Sequence, residues 1–227
     1  MLTEVSAAHI SEYRPGAAAA APPKAGRAVR AALGVVAALV VGLAAGAVTQ
    51  WFPTPVVAAS TSGGPWVLVS FLAALTAAGL ASATARGLAC MVGLAIGYYG
   101  VAALHGYPVS SSTASFWVPA ALLIGPLTGL AAGWVRSGRP LLARIAAGGV
   151  PGVLLGEGIA THHELEILAG AGLMAGLLAW QARRCAAQVP PARAVARPVA
   201  LAVAVAACVA AGALTVGWYL ATAPTVG

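Results

Sequence analysis

The residue types suited to binding or catalysis fall mainly into two short stretches of this 227-residue chain. One is Gly156-Glu157-Gly158, followed by Thr161, His162, His163, Glu164 and Glu166. Carboxylate and imidazole groups together can bind a divalent metal or relay protons. Glu157 lies within an apolar run, where a charged side chain costs at least ~2.5–3.5 kcal/mol by insertion scales, so that cost alone makes it a functional candidate. Glu157, Thr161 and Glu164 are spaced i, i+4, i+7 and would share a face if one helix carried all three. His162, His163 and Glu166 are the weaker, metal-binding candidates. Adjacent histidines diverge on a helix, and no H-E-x-x-H spacing is present. A solvated turn between two helices explains the same residues without a site.

The other stretch holds His105, Tyr107, Ser110, Ser111, Ser112, Thr113 and Ser115 around Pro108, with Tyr98 and Tyr99 just upstream. Glu157, Tyr98, Tyr99, His105 and Tyr107 form the candidate ligand-binding set. A carboxylate and phenol rings can hold a polar or cationic molecule by charge and cation–π contact. An ordinary hydrophilic loop is the plainer account. No catalytic residue is assigned: the chain has no aspartate, no G-x-S-x-G elbow, no Walker A loop and no dinucleotide fingerprint. No cofactor is indicated. Cys90, Cys185 and Cys208 are scattered without a C-x-x-C pair and read as packing thiols.

Apolar helices must position these residues. Sixty per cent hydrophobic and only 7% charged residues, with a mean hydropathy of +0.91, leave too little polar surface to cover a soluble domain. The expected fold is all-α, a polytopic transmembrane helix bundle. Seven runs near the ~20 residues a span requires lie at about Val29–Val48, Trp66–Thr84, Gly87–Leu104, Phe116–Val135, Leu141–Ala160, Leu165–Gln181 and Val199–Leu220. Six spans, without the last, is the alternative. Residues 1–27 are rich in alanine and proline and read as a disordered cytoplasmic tail, 28–221 as the bundle and 222–227 as a short outer tail. With the N-terminus inside, all 12 lysines and arginines fall on the inner side: Arg14, Lys24, Arg27, Arg30, Arg86, Arg136, Arg139, Arg144, Arg183, Arg184, Arg193 and Arg197. The positive-inside rule therefore explains the net charge of +7, and the lipid bilayer rather than a nucleic acid is the partner it implies. Trp51, Phe52, Trp66 and Trp117 would then mark the outer interface, Trp134 and Trp180 the inner one.

Glycines recur every fourth residue at Gly125, Gly129 and Gly133, and at Gly148, Gly152 and Gly156, with shorter pairs at Gly42/Gly46, Gly93/Gly97 and Gly172/Gly176. Small residues on one helix face let backbones approach closely. The two triads are expected to pack against each other or against another small-residue face, and such faces could also dock a partner protein or a second copy. Pro126 and Pro151, each mid-run beside a glycine, are expected to kink their helices.

Several stretches together resemble an uncharacterised polytopic integral membrane family of high-GC Gram-positive bacteria, a domain of unknown function. They are Gly64-Pro65-Trp66, Gly97-Tyr98-Tyr99 leading to His105-Gly106-Tyr107-Pro108, Ser115-Phe116-Trp117, Gly125-Pro126 through Arg136, and Gly152 through Gly158. The resemblance covers roughly residues 30–185 and implies a multi-pass protein of the bacterial plasma membrane, with no activity attached. Gly125 through Gly133 also looks like the glycine-patterned helix of the substrate-binding subunits of vitamin importers. An accessory or structural membrane subunit is the leading expectation. The alternative is a small-molecule transporter or substrate-binding membrane subunit with an outward-facing polar pocket, and a metal-dependent membrane enzyme ranks last.

Overall fold

The computed structural model describes residues 24–52, 62–107, 111–188 and 196–222. The expected N-terminal tail lies outside the described residues except at 24–27, which are helical, and the outer tail lies outside them beyond Thr222. Among the described residues the chain is all-helical. The α-helices are α1 (Lys24–Val48), α2 (Gly63–Leu75), α3 (Leu80–Leu104), α4 (Ser111–Arg136), α5 (Pro140–Thr161), α6 (Glu164–Gln188) and α7 (Ala196–Thr222), with a 3-10 turn at Thr49–Trp51 after α1.

Each expected apolar run becomes a helix, but the second does not have the expected extent. Among the described residues five helices are long and apolar enough to cross a membrane, as expected of a membrane protein: those containing Gly26–Trp51, Leu80–Leu104, Trp117–Arg136, Pro140–Thr161 and Glu164–Arg183. The run read as Trp66–Thr84 instead breaks after Leu75. Residues 76–79 form a turn, and 80–84 open the next helix. At roughly 1.5 Å rise per residue, the 13 residues of α2 span about 20 Å, short of a ~30 Å hydrocarbon layer. Nothing in the apolar composition marks this break, because carbonyls at the α2 end are satisfied by a distant side chain, that of Arg136. Pro126 and Pro151 lie inside α4 and α5, and both helices run on past them.

Close approaches at glycines fix the helix directions. Gly42 of α1 meets Cys90 and Leu94 of α3, and Gly46 meets Leu94 and Tyr98, so these two helices run parallel. α4 runs against α3, with Gly125 beside Gly87 and Leu88, and Gly133 beside Leu80. α6 runs against α5, with Gly158 beside Ile167 and Gly170 beside Leu155 and Pro151. α7 runs parallel to α5. The chain therefore alternates up and down, and the arginines with described side chains (Arg27, Arg30, Arg86, Arg136, Arg139, Arg144 and Arg183) all lie toward one end. Glu157, Glu164 and Glu166 lie toward the other.

The two glycine triads do not meet each other. Gly125, Gly129 and Gly133 pack on α3, where side chains would run into Gly87, Ala83, Thr84 and Leu80. Gly148, Gly152 and Gly156 pack on α7, against Ala204, Cys208, Ala211 and Gly212. Gly93 and Gly97 answer Gly42 and Gly46 by meeting Leu39 and Leu43 of α1. Gly172 and Gly176 face open space. The core gathers between α2, α3, α4 and α5, around Phe71, Leu94, Cys90 and Ala147. Within it Ser70 donates to the Gly87 carbonyl at 2.9 Å and lies 2.9 Å from the Thr128 hydroxyl, which bonds the Gly125 carbonyl at 2.8 Å. Buried hydroxyls in an apolar bundle need such partners.

Overpacking a tight seam costs about 1–3 kcal/mol, whereas a substitution into open space usually changes stability by less than about 0.5 kcal/mol. Gly152→Val should therefore lower the unfolding temperature of the purified protein clearly, and Gly172→Ala should leave it nearly unchanged; thermal unfolding of the two variants beside the parent checks both.

Candidate functional site

The first turn of a helix leaves backbone N–H groups without intrahelical partners. In α2 that turn reads Gly63-Gly64-Pro65-Trp66, and proline has no N–H, so the open donors sit chiefly on the two glycines. Ser62 occupies the N-cap position without bonding back to its own helix. The cap comes from elsewhere. Glu157, near the end of α5, accepts from Gly63 N–H at 2.7 Å through Oε1 and from Gly64 N–H through Oε2. Its side chain is 1% exposed. A carboxylate on a helix N-terminus gains from both the hydrogen bonds and the helix dipole. Gly64 is required here by close approach: a Cβ on it would stand 2.6 Å from Glu157 Oε2 and 3.2 Å from Leu154.

A second acid approaches the same point. α5 ends at Thr161, and His162 takes a left-handed conformation at φ 58°, reversing the chain within two residues. The shared face expected for Glu157, Thr161 and Glu164 therefore does not form, because the helix stops before Glu164. The reversal instead brings Glu166, in the first turn of α6, over the α2 N-terminus. Glu166 is 2% exposed. Its Oε1 accepts from the Ser62 hydroxyl at 2.5 Å and lies 3.1 Å from His163 Nδ1. Its Oε2 has no hydrogen-bond partner, and it stands 3.5 Å from the position of a Cβ on Gly64.

The other candidates divide into two groups. Trp117 closes over Gly63, 3.3 Å from where a Cβ would be, and its ring lies 5.6 Å from that of Trp66. Trp66 packs edge-on to Tyr98 at 5.7 Å, and Tyr98 to Tyr99 at 5.1 Å. An aromatic row thus leads from the buried acids to the tyrosines of α3. His105 and Tyr107 belong to a separate, exposed group, with the His105 ring edge-to-face with Trp51 at 5.5 Å and with Tyr107 at 5.8 Å. Residues 108–110 of the polar loop lie outside the described residues. His162 is exposed, and among the described residues no three His, Cys, Asp or Glu side chains converge as a metal site would require.

The opposite end of α2 is held with the opposite charge. Arg136, the last residue of α4, donates to the Leu75 carbonyl at 2.6 Å and to the Ala77 carbonyl. Arg86 of α3 donates to Thr76 Oγ1 at 2.6 Å. Sequence reasoning did not single out Ser62, Gly63 or Arg136 for these roles. The Ser-Gly-Gly-Pro start is a helix-initiation signal that could have flagged the first two, since serine is a preferred N-cap.

A family model described as a family of unknown function (DUF6518) matches residues 22–223. The chain belongs to that family. The match takes in α7, beyond the part of the chain covered by the resemblance read from its motifs. No curated protein and no solved structure matches. The site of this DUF6518 chain is defined by its own geometry. That geometry is two buried carboxylates, one capping a short helix and one with an oxygen bare, beside a serine, a histidine and a row of aromatic rings.

Removing a buried charged acceptor forfeits about 1.5–3 kcal/mol per hydrogen bond and leaves its donors unpaired. Glu157→Ala should accordingly destabilise the protein by at least about 2 kcal/mol. Glu157→Gln, which keeps one acceptor oxygen, should lose less. Chemical denaturation of both variants in the same detergent gives the order.

Proposed function

We propose that this DUF6518 chain is a multi-pass protein of the bacterial plasma membrane that serves as an accessory or structural membrane subunit. In this reading its N-terminus is cytoplasmic, its seven helices belong to one bundle in the lipid, and α2 is a short element enclosed by the others. One observation carries the functional part. The carboxylate of Glu157, the best candidate for holding a ligand, is buried and spends both oxygens on the α2 amides. A group used in that way holds the fold together. The close glycine seams support the same reading, since they join helices of one chain backbone to backbone. Partners of this subunit, whether another membrane protein or a second copy, would meet the outward helix faces. The alternative of a small-molecule transporter draws on the bare Oε2 of Glu166 beside Glu157.

The orientation rests on charge. The described arginines gather at one end of the bundle and the described acids at the other, and the positive-inside rule assigns the arginine end to the cytoplasm. With the native cysteines replaced, a Ser137→Cys variant should react with a membrane-impermeant maleimide only after cells are permeabilised. Thr161→Cys should react in intact cells. The reverse pattern would invert the bundle.

The functional proposal is tested by thermal stability across a panel of organic cations and neutral polar molecules, at fixed pH and fixed alkali-ion concentration. Parent and Glu157→Gln should respond alike, with no compound stabilising one alone. A compound that raises the unfolding temperature of the parent and leaves Glu157→Gln unmoved would replace the accessory reading with a ligand-binding one.

A further inference from the structure

We propose that Glu166 and Glu157 form a binding site for one small monovalent cation, a proton or an alkali-metal ion, at the N-terminus of α2. This goes beyond the accessory reading and does not depend on it. The two acids come from different helices, α6 and α5, yet their Oε2 atoms lie 3.5 and 2.6 Å from one common point, the place a Cβ on Gly64 would fill. With only hydrogen on Gly64, both carboxylates come close to its Cα, and Leu154 closes the same side. Both side chains are almost fully buried.

The surrounding groups divide unequally between the acids. α2 presents its first amides and the positive end of its dipole, worth about half a charge, to Glu157. The Ser62 hydroxyl and the His163 ring engage Oε1 of Glu166. Trp117 of α4 closes the Gly63 side with an apolar ring. His162 and Glu164, on the same reversal, are exposed. The described arginines are all at the far end. Oε2 of Glu166 is thus a buried carboxylate oxygen with no hydrogen-bond partner, close to the same Gly64 position that Glu157 Oε2 approaches. Two acids at such a place hold a positive charge between them, because an uncompensated buried charge is far costlier than a paired one. The donor set is oxygen and small.

Infrared difference spectroscopy on the full chain in lipid nanodiscs tests the assignment in two arms. In choline buffer, raising the pH should remove a protonated-carboxyl band if a proton is the occupant. At fixed pH, exchanging choline for sodium or lithium should shift a carboxylate band if an alkali ion is the occupant. Either signal must disappear in Glu166→Gln, which keeps an acceptor for Ser62 through its amide oxygen. Glu166→Asp, the second variant, retains an acid on a shorter arm and should shift the band without abolishing it. It also serves if Glu166→Gln does not elute as a monodisperse protein. A spectrum with no change sensitive to Glu166 in either arm overturns the proposal.

Discussion

A 13-residue helix is too short to be stable alone, and its open N–H and C=O groups must find partners. In α2 the partners are charges carried by two other helices. Glu157 of α5 closes the N-terminus and Arg136 of α4 reaches the C-terminal carbonyls, each matched in sign to the helix dipole. Ser70 adds a lateral tie to α3 and α4 midway. A rotation of α4 or α5 about its own axis would uncover one end of α2. This one helix thereby sets the register of three neighbours, and the buried acids, the aromatic row and the Ser62 contact all follow from where its N-terminus sits.

Around that centre the bundle is joined by seams of a different kind. α1 meets α3, and α5 meets α7, through glycines whose missing side chains admit the backbone of the opposite helix. Dispersion between closely apposed backbones and small side chains supplies the cohesion of such seams. α5 belongs to both systems: Gly148, Gly152 and Gly156 face α7, and Glu157, one residue on, faces α2. The Gly156-Glu157 pair thus joins the seam to the charged cap within two residues.

Much of this was readable from the sequence, and the gaps have physical causes. The apolar runs gave the helices, because a segment in lipid must satisfy its own backbone and only a helix does so locally. The arginine distribution pointed to the alternating arrangement that the helix contacts describe. Glu157 stood out on desolvation cost alone. The glycine spacing marked the close seams but could not name their partners, since a small face fits any other small face. The break after Leu75 was invisible because the turn that causes it is stabilised by Arg136, 61 residues away. Glu166 was undervalued for a similar reason. It looked like part of a solvated turn, and only the left-handed residue at His162 folds it inward. Contacts across large sequence separations leave no periodic trace.

The parallel seam between α5 and α7 has a consequence for biogenesis. α7 is synthesised after α5 and α6. Until it is in place, the notched side of α5 at Gly148, Gly152 and Gly156 has no matching backbone. Assembly of this half of the bundle therefore waits on a docking event, and a chain cut short before α7 would keep an unfilled groove along α5.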